Sequence, residues 1–252
     1  MTDVGRIAEI WRFPVKTMAG ERVAEAAIGP LGMRGDRAWM LVDAVTGQRP
    51  TTHAFRKRKR LLEWRAAFDG PGGAAMPPHV TLTAPDGTTV RSDDPEAAGK
   101  LSALLNHPVR LAVMRWEGHP PNPVAPGADA YENEPIHLVT TASLAAMKRA
   151  NPAADFAPRR FRANLVVETP PGVEGTVEDA WVGRVLAVGE LRLSVLERCV
   201  RCAITTMAQE GLAQDPSVLA TVSALNGTTL GIYARVEARG TVREGDRIGL
   251  LD

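Results

Sequence analysis

Cysteine occurs only twice in the 252-residue chain. That excludes a disulfide-stapled secreted scaffold and predicts a reducing, cytoplasmic setting. Aromatic residues make up 5% of the chain, too few for a surface that stacks nucleic-acid bases. Neither sign of charge dominates: 30 Lys and Arg face 29 Asp and Glu, a formal net charge of +1. The balance carries no electrostatic footprint for nucleic acid or for an anionic membrane. No apolar run approaches the roughly 20 residues of a spanning helix. The N-terminal stretch MTDVGRIAEIWRF is charged from its third residue, unlike a secretory signal. The sequence also lacks a dinucleotide-binding glycine fingerprint and the cysteine set of an iron–sulfur cluster. Chemistry that consumes electrons would therefore need a separate donor protein.

What is present reads as mainly β with some α. The apolar content of 44% supports one large domain or two modest ones. RIAEIWRF, AWMLVD and the hairpin pattern HVTLTAPDGTTVRS are short strands punctuated by turns, the pattern of a barrel or sandwich. PEAAGKLSALLN from Pro95 has helical spacing of Leu101, Leu104 and Leu105. Residues 115–135, rich in Pro and Gly, read as a long loop or interdomain connection. A second block follows: IHLVT as a strand, TASLAAMKRA as a helix, then FRANLVVET and ELRLSVLERC as strands. DPSVLATVSALN reads as a helix with Asp215 as N-cap and Pro216 at its first position. TLGIYARVEARG and TVREGDRIGLL close the chain as strands.

Both cysteines fall in ERCVRCAITT. A Cys-x-x-Cys supplies half of a zinc site, but no second pair or His-x₃₋₅-His set completes it among five scattered histidines. A thioredoxin-type motif should open a helix, whereas AITT is β-branched. Arg201 between the thiols favours a thiolate, which suits a soft metal or a nucleophilic sulfur; plain burial also remains open. Three other stretches offer cations. FPVK presents Lys16 just past a strand, followed by Thr17. GDR places Arg37 at a strand entrance with Asp36 beside it. FRAN puts Arg162 and Asn164 two apart, on one face if extended, a pairing suited to an anion with amide-like edges. Each taken alone also fits an ordinary solvated surface, as does the basic run FRKRKR at 55–60.

The order of these blocks resembles the two-part MOSC family, the molybdenum-cofactor sulfurase C-terminal domain preceded by its N-terminal β-barrel domain. The mitochondrial amidoxime-reducing component is among its relatives. The segments that carry the resemblance are RIAEIWRFPVKTMAGERV with GPLGMRGDRAWMLVD, then EPIHLVTTASL, FRANLVVE, ERCVRCAITT and GIYARVEARGTVREGDRIGLL. It implies an N-terminal β-barrel-like domain over 1–115 and a MOSC β-barrel domain with flanking helices over 116–252. A cleft between them would hold the molybdenum–molybdopterin cofactor. By the same resemblance Cys202 is the molybdenum ligand and the catalytic centre. Lys16, Thr17, Arg37, Arg162, Asn164 and Tyr233 then contact the cofactor. The implied function is an oxidoreductase acting on a small N-hydroxylated or N-oxygenated substrate with an external electron-donor protein. A cysteine-persulfide sulfur carrier and a cofactor storage or delivery protein are the alternatives. Departures from the amidoxime-reducing pattern are Asn133-Glu134 for a Thr-Ser pair, Val200 for a serine, Arg-Ala-Asn for Arg-Pro-Asn, FRKRKRLLE without its proline, and MAQEG. If the cysteine stretch is extended, Cys199 points away from Cys202 and packs inside.

Overall fold

The first strand, β1 (Thr2–Arg12), pairs with strands from the far end of the chain. In this computed structural model, residues 1–47, 60–70, 76–117 and 136–251 are described. Strands and helices are numbered along the chain. β1 joins β16 (Arg247–Leu251) on one side and β11 (Leu165–Glu168) on the other. Between them run β10 (Ile136–Thr140), β14 (Thr229–Ala238), β13 (Leu191–Val200) and β12 (Val185–Val188). The order β11-β10-β14-β13-β12-β16-β1 closes on itself as a seven-stranded barrel. Closure leaves no unpaired sheet edge among these strands. The architecture is mainly β with flanking helices, as the sequence pattern predicts.

Period-two alternation sorts the barrel strands. Ile7, Ile10, Leu138, Leu193 and Ile232 fill the interior. Val139, Val166 and Leu230 point the other way, under Phe161, Val218 and Val222. Three helices cover that outer face: α2 (Thr141–Ala150), α3 (Pro158–Phe161) and α4 (Ser217–Asn226). α2 and α3 form the crossover that lets β10 and β11 run parallel.

The remaining N-terminal strands form smaller sheets. β2 (Glu21–Arg22) extends β1. β3 (Glu25–Gly29) pairs with β4 (Gly32–Met33) and with β15 (Gly240–Arg243), so it too crosses between the two halves of the chain. β5 (Trp39–Asp43) pairs with β9 (Val109–Val113). β6 (Arg65–Phe68), β7 (Val80–Thr83) and β8 (Thr89–Arg91) form a meander in which Leu82 faces Val90 across the hairpin. Together with α1 (Ala97–Leu105) these strands bury Trp39, Trp64, Leu82, Leu101 and Val109 in a second core.

Two local expectations are corrected. FRANLVVET is not one strand: Pro158–Phe161 is a turn of helix, Arg162 caps it in the left-handed conformation (φ 57), and β11 begins at Leu165. Pro158 favours that start because its fixed φ suits the first helical turn. The last helix starts one residue later than expected, with Pro216 as N-cap. The Asp215 carboxylate still accepts from the Ser217 amide at 2.9 Å. Of the basic run only Arg60 lies within the described residues, where it bonds Glu63. The stretch near 118–127, Asn133 and Glu134 lie outside them.

Candidate functional site

The segment after β1 is laced to the Gly35–Arg37 turn. The buried Phe13 amide donates to Asp36 Oδ1 at 2.8 Å, the Arg37 amide donates to the Phe13 carbonyl at 2.7 Å, and the Lys16 amide donates to Trp39 O at 2.9 Å. Gly35 has φ +87, and a Cβ there would lie 2.6 Å from the Phe68 ring. The turn thus needs glycine for both conformation and room. Arg37 is buried and ion-paired with Asp36. Its guanidinium sits 5.0 Å from the centre of the Phe13 ring.

Arg162 comes to the same ring from the other half of the chain, 4.2 Å from its centre. Its Nη1 donates to Met18 O, and Arg37 Nη2 donates to Arg162 O at 3.4 Å. Lys16 and Thr17 lie half-buried on the intervening segment. Thr17 has φ 71, and its hydroxyl donates to Lys16 O. The structure therefore brings Arg37 and Arg162 together over Phe13, with Lys16 and Thr17 on the segment between Phe13 and Met18. Asn164 is placed differently. It is buried, its Oδ1 accepts from the His137 amide at 3.2 Å, and its Nδ2 donates to Trp11 O at 3.3 Å. It stitches β1 to β10, and it shares no strand face with Arg162.

The two cysteines separate. Cys199 is fully buried near the end of β13, whereas Cys202 is exposed and caps a 3₁₀ turn over Ala203–Thr206. Extended residues three apart have Cα atoms roughly 10 Å apart, beyond the roughly 4.4–6.8 Å of a disulfide. Arg201 points inward between them. Its Nη1 donates to Cys199 Sγ at 2.6 Å and lies 3.4 Å from His137 Nε2, and Nη2 donates to Phe161 O at 2.7 Å. The Arg201 Nε is buried and has no hydrogen-bond partner among the described residues.

His137 and Tyr233 face each other across β10 and β14, with ring centres 5.4 Å apart. Burial, then the charges of Arg201 and Arg37, hold the His137 imidazole well below its usual pKa. It is therefore neutral near pH 7 and adds no charge to the arginines. Gly231 leaves room for it: a Cβ there would lie 2.6 Å from His137 Nε2.

The loop that carries Cys202 is fastened by Arg160, which is 1% exposed. Its guanidinium donates to the carbonyls of Asp155 (2.9 Å), Thr205 (3.2 Å), Met207 (3.5 Å) and Ala213 (3.2 Å). Gln209 Nε2 donates back to Arg160 O at 3.0 Å. Phe13, His137, Arg160 and the inward turn of Arg201 were not singled out as site residues by sequence reasoning. Phe13 stood in the quoted FPVK stretch, and Arg201 between the thiols, but neither signal gave the direction of a side chain.

The candidate site thus has two parts, an exposed thiol on a loop held by Arg160 and two guanidinium groups over the Phe13 ring, and Arg201, next to Cys202, bonds the Phe161 carbonyl beside Arg162. Such a set can hold a soft metal and an attached anion. Among the described residues no cluster of three or more His, Cys, Asp or Glu could hold a metal ion by itself, and no helix is long and apolar enough to cross a membrane.

Comparison with known proteins gives the same direction. The sequence model of the MOSC domain matches residues 119–249, and that of the MOSC N-terminal beta barrel domain matches residues 4–111. The chain is 26% identical to mitochondrial amidoxime-reducing component 1 of Homo sapiens, across 100% of this chain and 84% of that protein. It is 24% identical to the molybdenum cofactor sulfurase of Drosophila grimshawi, across 88% of this chain but only 31% of that protein. The solved YUAD protein of Bacillus subtilis matches with a TM-score of 0.51 at 12% identity, covering 98% of this chain and 94% of that one. That last likeness is one of fold.

Proposed function

The chain belongs to the MOSC family, and from that premise we propose that it is a molybdenum-cofactor-binding oxidoreductase in which the Cys202 thiolate is the metal ligand. Its substrate class is small N-hydroxylated or N-oxygenated compounds. The observation that carries the reading is the exposed Cys202 thiol on a loop clamped by Arg160, next in sequence to an arginine tied to the Phe161–Arg162 corner. Relatives named for amidoxime reduction and for the molybdenum cofactor support it.

The residues present fit such a group. A thiolate is a soft ligand suited to molybdenum. Lys16, Arg37 and Arg162 supply positive charge for a phosphate and the polar edges of a pterin, each contact contributing about 1.5–3 kcal/mol. Thr17 keeps a hydroxyl on the same segment, and Tyr233 borders the site through His137. Asn164 serves by holding β1 against β10, which keeps Phe13 and Arg162 in register. When bound, the cofactor supplies oxygen-atom transfer at the metal; the chain supplies anchoring, charge balance and shielding from water. Electrons come from a separate donor protein.

Protein purified from a host that makes the cofactor should contain about one molybdenum per chain, and Cys202→Ala should contain none. Loaded protein should reduce benzamidoxime with an artificial electron donor. The exposure of Cys202 also favours a second reading, a persulfide carrier. Metal-free protein with cyanolysable sulfur on Cys202 would select it. Loaded protein without turnover would select storage or delivery of the cofactor.

A further inference from the structure

A cavity of about 400 Å³ is lined in part by Gly35 and Asp36 of the turn before Arg37. It opens where the β3–β4 turn, the chain just past β9 and the β14–β15 turn converge. Its volume is in the range of roughly 300–1,000 Å³ that encloses small organic ligands. Its lining includes neither Cys202 nor Lys16, Arg37 or Arg162. The proposed function does not use it.

The walls combine an apolar floor with charged groups. Ile28, Met33 and Trp116 are buried beneath it, and Leu31 is 43% exposed at the turn. Arg34, Arg115 and Arg239 line it, against Glu117 and Glu190. Asp36 lines it as well, but its carboxylate is already used by the Arg37 ion pair and the Phe13 amide. Three arginines thus share the lining with three carboxylates, one of which, Asp36, is held by Arg37. The Arg34 guanidinium lies 5.0 Å from the centre of the Trp116 ring. Neither Arg34 nor Arg239 forms an ion pair with any described residue. A flat arginine held over an indole, with a second guanidinium lining the same cavity, is an arrangement that binds a planar carboxylate or similar oxyanion.

We propose that this cavity is a second small-molecule site, selective for a compact organic anion with a flat apolar body. The apolar part would fill the floor over Ile28, Met33 and Trp116, and the anionic end would be taken by Arg34 and Arg239. The site depends on neither Cys202 nor a bound cofactor.

The test uses the full chain and three probes of one shape: naphthalene-2-carboxylate, naphthalene-2-carboxamide and 2-naphthylmethylammonium. Calorimetry gives the affinities, and the indole resonance of Trp116 reports the location. The carboxylate should bind most tightly and the ammonium ion least, with the Trp116 signal moving on binding. The Arg34→Ala/Arg239→Ala pair should weaken the carboxylate at least about tenfold, while Arg162→Ala should leave it unchanged. Both altered arginines are exposed, and an unchanged melting temperature will show that the paired variant is folded. The proposal is overturned if the carboxylate shows no binding below about 10 mM, if the ammonium ion binds as well, or if Arg162 rather than the Arg34–Arg239 pair controls affinity.

Discussion

Arg37 donates from Nη2 to the backbone carbonyl of Arg162 at 3.4 Å, and the guanidinium groups of the two residues lie over the same Phe13 ring. Two like charges collected in a partly buried place repel each other. Asp36 offsets one of them, and the π-face of Phe13 attracts both. The ring is therefore an electrostatic element of the site as well as a buried apolar group. Phe13→Leu keeps apolar volume but removes the π-face. It should lower unfolding free energy by about 1–3 kcal/mol and release bound molybdenum more readily. A urea titration and a metal assay check both; a variant with unchanged stability and metal content would falsify this role.

How far this arrangement could be read in advance differs by residue. Lys16, just past a strand, and Arg37, at a strand entrance, are singled out by the family resemblance; locally each reads as solvated surface, and nothing local shows that Arg37 is buried against Asp36. The barrel was legible from alternating strands, although nothing local reveals that β1 closes it against β11. For Arg162 the sequence predicts a strand, because Phe161, Ala163 and Leu165 alternate with it as apolar residues. Its left-handed φ is held by contacts with Met18 and Phe13, and such a tertiary constraint leaves no mark in local propensity. Arg160 could not be found at all, since arginine is so seldom buried that its default reading is solvated surface. His137 became meaningful only once the register set it opposite Tyr233.

The separate burial of the cysteines predicts separate chemistry. Iodoacetamide on the folded protein should modify Cys202 and spare Cys199, read by peptide mass spectrometry. Cys202→Ser should change stability by no more than about 0.5 kcal/mol and abolish molybdenum binding. Cys199→Ser should retain the metal but cost about 1–3 kcal/mol, because it buries a hydroxyl in place of a thiol. Equal labelling of the two thiols would contradict the assignment.

Arg160 ties together the chain from Thr205 to Ala213 through four carbonyl acceptors that include Asp155. Arg160→Met preserves much of the stem but leaves those oxygens unpaired. A loss of at least about 3 kcal/mol is expected. Faster amide exchange should appear first in residues 202–213. If exchange rises uniformly across the barrel instead, Arg160 supports the fold generally and does not position the Cys202 loop.

Gly231 has φ +78, and a Cβ there would sit 2.5 Å from Leu138 O as well as against the His137 ring. Gly231→Ala therefore meets a steric and a conformational penalty at once. It should destabilise the protein by more than about 2 kcal/mol and displace His137 from Tyr233. Chemical denaturation measures the first, and the Tyr233 ring resonances report the second. A variant as stable as the parent would show that β14 can shift to admit a side chain.

Glu178 gives the barrel a pH dependence that is distinct from the candidate site. The carboxylate is fully buried and accepts from the hydroxyls of Thr140 at 2.7 Å and Ser143 at 2.5 Å, where α2 begins. Burial raises its pKa above the usual 4.5, and the two hydroxyl bonds oppose that rise. The native state thus holds a proton over a window in which the unfolded chain has released it. By linkage, the stabilisation is complete below about pH 4.5 and is lost as the pH climbs through the raised value. Glu178→Gln cannot ionise, so its stability relative to the parent should be flat at acid pH and should improve as the pH rises. Urea midpoints from pH 4 to 8 for the two proteins measure this difference. Parallel profiles would mean that the carboxyl ionises at this buried position as easily as in water, contrary to the burial that surrounds it.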